Sequence, residues 1–173
     1  MKTLRTLGTL AVAGSVLALL PVGSAMAAGS GDTDTTFTLA GGSLDVTPAG
    51  GAALTNGSPG AASVSGSLGP VGISDTRGST AGWVVSAAST TFVDGAGSVS
   101  TGVSHNSGAA TASTGTVTPT STGATSITTA APVAAGTLAS GNNTASYTPT
   151  LTVALPASAL AGDYTGTVTT SIL

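Results

Sequence analysis

Cysteine is missing from all 173 residues, so no disulfide can staple the chain. Its stability must come from backbone hydrogen bonds and from buried Val, Leu, Ile and aromatic side chains. Glutamate is missing too, and the only cations are Lys2, Arg5 and Arg77. Beyond residue 27 the single cation Arg77 stands against Asp32, Asp34, Asp45, Asp75, Asp94 and Asp163, a formal charge of −5. Nucleic acid and anionic membranes are poor partners for such a chain. Ionic adhesion to anionic wall polymers is disfavoured on the same ground, which leaves neutral contacts. Helical periodicity is also missing beyond residue 27, and groups that transfer protons or attack are scarce there.

His105 is the only candidate general base. Its setting, Val103-Ser-His-Asn-Ser-Gly108, reads as a solvated loop, so removing it is expected to change neither folding nor binding. No G-x-S-x-G elbow accompanies it, and the expectation is a protein that is not an enzyme. Asp32-Thr-Asp34 lacks the further oxygen ligands of a calcium loop, so no metal and no cofactor is expected. Asn142-Asn143-Thr144 matches a glycosylation acceptor and reads as surface loop.

What is present begins with Lys2 and Arg5, an apolar stretch over residues 7–20 and the small-residue pattern Ala25-Met-Ala27. These are the n-region, h-region and cleavage site of a secretory signal peptide, with cleavage expected after Ala27. The apolar run is shorter than the roughly 20 residues of a bilayer crossing. No sorting sequence or lipidation cysteine is found, so any hold on the cell is expected to be non-covalent. Residues 28–35 read as a flexible tail.

Short runs alternate with period two: Phe37 and Leu39; Leu44 and Val46; Val71 and Ile73; Trp83, Val85 and Ala87; Leu151, Val153 and Leu155. Glycine- and proline-containing turns separate them, which predicts an all-β, antiparallel, immunoglobulin-like β-sandwich over residues 36–173. Residues 95–145 hold few large apolar side chains and are expected as long loops with weak strands. Residues 147–156 and 163–172 are expected as two strands joined by a short loop, with Tyr164, Val168 and Ile172 on one face.

Asp75-Thr-Arg-Gly78 sits between two strong strand patterns. Turn chemistry accounts for it: Asp75 bonding the backbone ahead, Gly78 supplying positive φ, Arg77 pairing with a carboxylate. Gripping a ligand carboxylate is the alternative for Arg77. Trp83 is in phase with Val85 and Ala87 and reads as core; a sugar-stacking platform is the alternative.

Two segments resemble the WxL family of Gram-positive surface proteins, in particular its shorter, actinobacterial-like members. The first is Val71-Gly-Ile-Ser-Asp-Thr-Arg-Gly78 with Ala81-Gly-Trp-Val-Val85, similar to the family's D-x-R-G turn and G-W-x-L strand. The second runs from Pro156 through Ala161-Gly-Asp-Tyr164 to Val168 and Ile172, similar to the closing Y-x-x-x-L-T-W-x-L strand. Val85 and Ile172 stand at leucine positions of that pattern, and Thr170 stands at its second tryptophan. The resemblance implies a β-sandwich that associates with peptidoglycan, or with other surface proteins, at the cell wall. Trp83, Val85, Tyr164 and Ile172 are its implied binding residues, with Asp75, Arg77 and Gly78 as a turn cluster. A secreted fibre- or coat-like subunit is the alternative.

Overall fold

Alternating branched apolar and small polar residues favour an extended backbone with one dry face, but the extension persists only where another strand takes up its hydrogen bonds. The structure, a computed structural model, describes residues 29–95, 97–98 and 101–173. The expected signal peptide of residues 1–27 lies outside the described residues. Residues 38–173 form one unit; of residues 1–37, only 29–37 are described, and they are irregular and exposed. Phe37 and Leu39, expected in a strand, are instead 87% and 86% exposed in unpaired chain.

The strands are β1 (Leu44–Thr47), β2 (Ser63–Ser67), β3 (Val71–Ser79), β4 (Trp83–Ser89), β5 (Val93–Asp94), β6 (Gly97–Ser98) and β7 (Gly102–Asn106). There follow β8 (Thr111–Thr114), β9 (Thr118–Ser121), β10 (Thr125–Ser126), β11 (Ala131–Thr137), β12 (Gly141–Tyr147), β13 (Thr150–Ala154) and β14 (Val168–Ile172). Every pairing is antiparallel, and no helix occurs among the described residues. The protein is an all-β sandwich. Its sheets run β1-β3-β12-β8, β10-β7-β13-β2 and β14-β4-β11-β9, with β5 and β6 forming a small ribbon.

The first two sheets are one set of long strands bent at a corner. β2 and β3 pair in turn with β13 and β12, while β7 and β8 flank the same two strands on the other side. Between Ser67 and Val71 the chain takes four steps while its partner takes three, from Thr150 to Tyr147. The extra residue falls at Gly69-Pro70, and Gly69 has φ 79°, a conformation that side chains with a Cβ resist. An extra residue on one strand bends it, so the paired strands leave one sheet and enter the next.

The third sheet faces the first. β14 lies beside β1, and β9 beside β8. The connections β3–β4, β8–β9 and β11–β12 all cross between these sheets at one end, here called the arch end. The opposite end, where β4 runs on to Phe92, is called the cleft end. Between them lies one core: Val71, Ile73, Trp83, Val85, Ala87, Val103, Val117, Ile127, Val133, Tyr147, Leu151 and Val153 are buried.

Three expectations change. Residues 95–145 carry β6 through β11 and the start of β12 rather than long loops, because backbone bonding is indifferent to side-chain size and small Ala134, Ala139 and Ala145 fill narrow inward sites. Residues 147–156 are not one strand: the chain bends at Thr148-Pro149 between β12 and β13. The final strand is Val168–Ile172 rather than residues 163–172, and it joins β4 in the third sheet while β13 belongs to the second, so the two do not form a hairpin.

Candidate functional site

Asp75 ends the inward-facing series Val71, Ile73, Asp75 on β3 and is 1% exposed. A buried carboxylate must be paired, and the sequence supplies the partner two residues on. Arg77 donates Nε to Asp75 Oδ1 and Nη2 to Oδ2, both at 2.9 Å, and its backbone N–H reaches Oδ1 at 3.1 Å. Nη2 also donates to the carbonyls of Ala81 and Gly82, at 3.2 and 3.0 Å. The Arg77 hydrogen bond holds the Asp75 carboxyl below its ordinary range, against the desolvation that would raise it. Gly78, at φ 65°, turns the chain between the two sheets. The cluster is thus a clamp on the β3–β4 arch, and the fork of Arg77 that could have gripped a ligand carboxylate holds Asp75.

Asn143 does the same for the other two arches. It stands opposite Asp75 in the β12–β3 register and is 1% exposed, not in the surface loop its acceptor pattern implied. Its Oδ1 accepts from the N–H groups of Thr116 and Val117 at 2.8 and 3.0 Å; its Nδ2 donates to the carbonyls of Ser140 and Gly141 at 3.4 and 3.0 Å. Sequence reasoning missed this residue. The available signal was its phase with Ala145 and Tyr147, two and four residues on.

Trp83 is 3% exposed and Val85 is fully buried, so neither meets a ligand. The indole lies against the backbone of Gly136, where a Cβ would collide with it. Ile172 is half-buried opposite Val85, and Thr170 opposite Ala87. Tyr164 stands apart from Trp83, at the cleft end, where its hydroxyl donates to the Leu160 carbonyl at 3.0 Å. The structure therefore does not gather the six motif residues and Tyr164 into one site.

Two neighbouring clefts lie at the cleft end. The larger, about 530 Å³, is walled by residues 52–59 and 159–166 together with Val64, Phe92, Val153 and Leu155. Asn56, Ser58, Asp163 and Tyr164 put polar atoms beside these apolar walls, and no cation lines it. The smaller, about 260 Å³, shares Ala52, Leu54, Phe92 and Gly166 with it and includes Thr170 and His105.

His105 is in β7, not in a solvated loop, and is 2% exposed. Val103, His105 and Ser107 share one inward phase, and the corner after Asn106 folds that face over the core. The His105 ring meets Tyr147 edge-on, with centroids 6.3 Å apart. The Ser107 hydroxyl donates to the Val133 carbonyl at 2.6 Å and lies 3.5 Å from His105 Nδ1, so its proton is directed away from the ring. Burial lowers the His105 pKa from its ordinary 6.5. Burial likewise pushes the Tyr147 phenol up to about 12, and its hydroxyl has no hydrogen-bond partner.

A histidine kept neutral in the fold but free to take a proton when unfolded destabilises the fold as pH falls. The stability present above pH 6.5 is therefore expected to decline below it, until the lowered folded-state pKa is reached. The slope should approach about 1.4 kcal/mol per pH unit. Urea unfolding between pH 5 and 7.5 measures it, and His105→Gln should flatten that stretch. A wild-type curve flat through this window would refute the burial of a neutral His105. His105→Ala is expected to lower stability by opening a cavity, contrary to the silent substitution a loop histidine would give.

Among the described residues no group of three or more His, Cys, Asp or Glu is placed to hold a metal ion. No protein-family model, curated protein or solved structure matches the chain.

Proposed function

We propose that this is an exported, non-catalytic surface protein that holds the Gram-positive cell wall without a covalent link, through neutral contacts of its cleft end with peptidoglycan. The observation that carries the reading is the larger cleft. It is concave, lined by Phe92 and Tyr164 beside hydroxyl, amide and carboxylate groups, and bare of cations, a composition suited to a neutral saccharide rather than to an anion. Tyr164 is also the residue of the WxL-like closing segment that lines it. Trp83 and Val85 support the same reading indirectly, as core residues that hold the third sheet. The single cation of the described residues, Arg77, is engaged in the arch clamp, so wall retention would not depend on charge.

Purified sacculi should retain the folded protein, and raising salt from 0.1 to 1 M, which shortens the Debye length from roughly 10 to 3 Å, should leave the bound fraction unchanged. Tyr164→Ala should reduce retention several-fold with a small change in melting temperature. A folded wild type that stays in the supernatant sinks the proposal. Release by salt would overturn the neutral mode of binding. The alternative, a secreted structural subunit, draws on one observation, the exposed apolar side chains at the two ends of the sandwich.

A further inference from the structure

Large apolar side chains exposed singly on a soluble protein call for no explanation, but their placement here is not scattered. Leu138, 78% exposed, is at the arch end, in the connection between β11 and β12. Leu173, 87% exposed, is there too, exchanging both backbone hydrogen bonds with Val84 at the start of β4; Val84 is itself 42% exposed. Leu39, 86% exposed, is three residues before Gly42, whose N–H bonds the Thr76 carbonyl at the same end. At the opposite end Leu160, 73% exposed, forms part of the wall of the larger cleft, and Val93, 45% exposed, is the next residue after Phe92, which also lines that wall. The two ends of one sandwich thus carry the exposed apolar groups, one end projecting and the other concave.

Leu138 adds an independent observation. It is the single non-glycine residue of positive φ among the described residues, at 55°. Glycine occupies the other such positions, where no Cβ opposes the turn. A leucine kept exposed in that conformation is hard to explain by the fold of one chain and points to a contact beyond it.

We infer that copies of this chain associate head to tail, the arch end of one, with Leu39, Leu138 and Leu173, seating on the cleft end of the next, around Leu160 and Val93. Residues 37–40 read Phe-Thr-Leu-Ala, an alternation with the pattern of a strand but no partner strand, which suits them to lie extended in a neighbour's cleft. Leu39 does not reach the cleft of its own chain. Three residues from Gly42 span at most about 10 Å, whereas the residues of β4 between the arch end and Phe92 extend roughly 20 Å or more at ~3.3 Å each. The donor segment carries no charge, and the cleft offers no cation that would select an acidic partner instead. Joining two different surfaces makes the contact heterologous, so it propagates rather than closing at a dimer.

Sedimentation velocity of the full chain, expressed for export, tests this over a concentration series. Wild type should form species larger than a dimer whose share grows with concentration. Leu39→Asp spoils only the arch end and Leu160→Asp only the cleft end, so each alone should sediment as a monomer. Mixed in equal amounts they should form dimers and nothing larger, since each retains the surface the other has lost. Both residues are exposed, so circular dichroism and melting should match wild type, and Leu138→Asp provides a second arch-end variant should Leu39→Asp misfold. A wild type monomeric at every concentration overturns the inference, as does an equal mixture that stays monomeric, the result a symmetric contact would give. The neighbour's segment and the wall would compete for this cleft. Monomeric Leu39→Asp, whose cleft is free, should therefore be retained on sacculi at least as well as wild type, which reads assembly and wall binding apart.

Discussion

Trp83→Ala is expected to lose on the order of 3–5 kcal/mol, the cost of emptying a tryptophan-sized site in a packed core. The indole is 3% exposed, sits in one inward row with Val85 and Ala87, and lies against Gly136 on the neighbouring strand. The residue facing the ring on β11 is Gly136, which has no side chain to fill the space. For a single domain of roughly 5–15 kcal/mol total stability, such a loss removes about a fifth or more of it. The melting temperature should fall by roughly 10–20 °C. Sacculus retention per folded molecule should be unchanged, since a buried indole offers no platform to a sugar. A variant that melts like wild type yet fails to bind would place the ring on the surface and refute the packing described above.

Asn143→Ala should be the next most damaging change. One side chain serves four backbone groups of the arches that follow β8 and β11, and truncation strands the N–H of Val117, itself 4% exposed. Each buried donor left without a partner costs about 1–3 kcal/mol, so a total near 3 kcal/mol is expected in chemical unfolding. Asn142→Ala, on the exposed neighbour, should stay within about 0.5 kcal/mol. Equal effects of the two substitutions would show that the arch-end network does not depend on Asn143. Because β3 and β12 meet at Asp75 and Asn143, the loss should also loosen the Asp75–Arg77 clamp, and a double substitution with Asp75 should be less than additive.

The exposed segment around Leu39 and the buried His105 mark where local reading and structure part. Both lie in short stretches whose alternation is plain, yet one is unpaired and the other is core. Phe37 and Leu39 have a strand's pattern but no adjacent edge, and extended backbone without a partner is not a strand. His105 is flanked by Ser104, Asn106 and Ser107, so its neighbourhood reads as polar. Only every second residue faces inward, however, and Val103 shares its phase. The same phase rule would have found Asn143 from Ala145 and Tyr147. Trp83, Val85 and the Asp75 turn were legible because turn chemistry and alternation act over a few residues.

By itself the amino-acid sequence determined the local matters: an all-β chain without disulfides, strands with Val71, Ile73, Trp83, Val85, Leu151 and Val153 on their dry faces, a turn built from Asp75, Arg77 and Gly78, and a surface poor in cations. These follow from backbone preference, period-two alternation and composition, each readable within a few positions. Only the tertiary structure decided that β3 and β12, some seventy residues apart, are neighbours and that Asp75 and Asn143 clamp one end together. It also decided that Tyr164 lies at the other end from the tryptophan motif, and that the exposed leucines divide between the two ends. Pairing partners in a sheet are chosen by which distant faces bury each other, and the backbone bonds that join them are the same for every sequence. Neither choice is written in any single stretch of the chain.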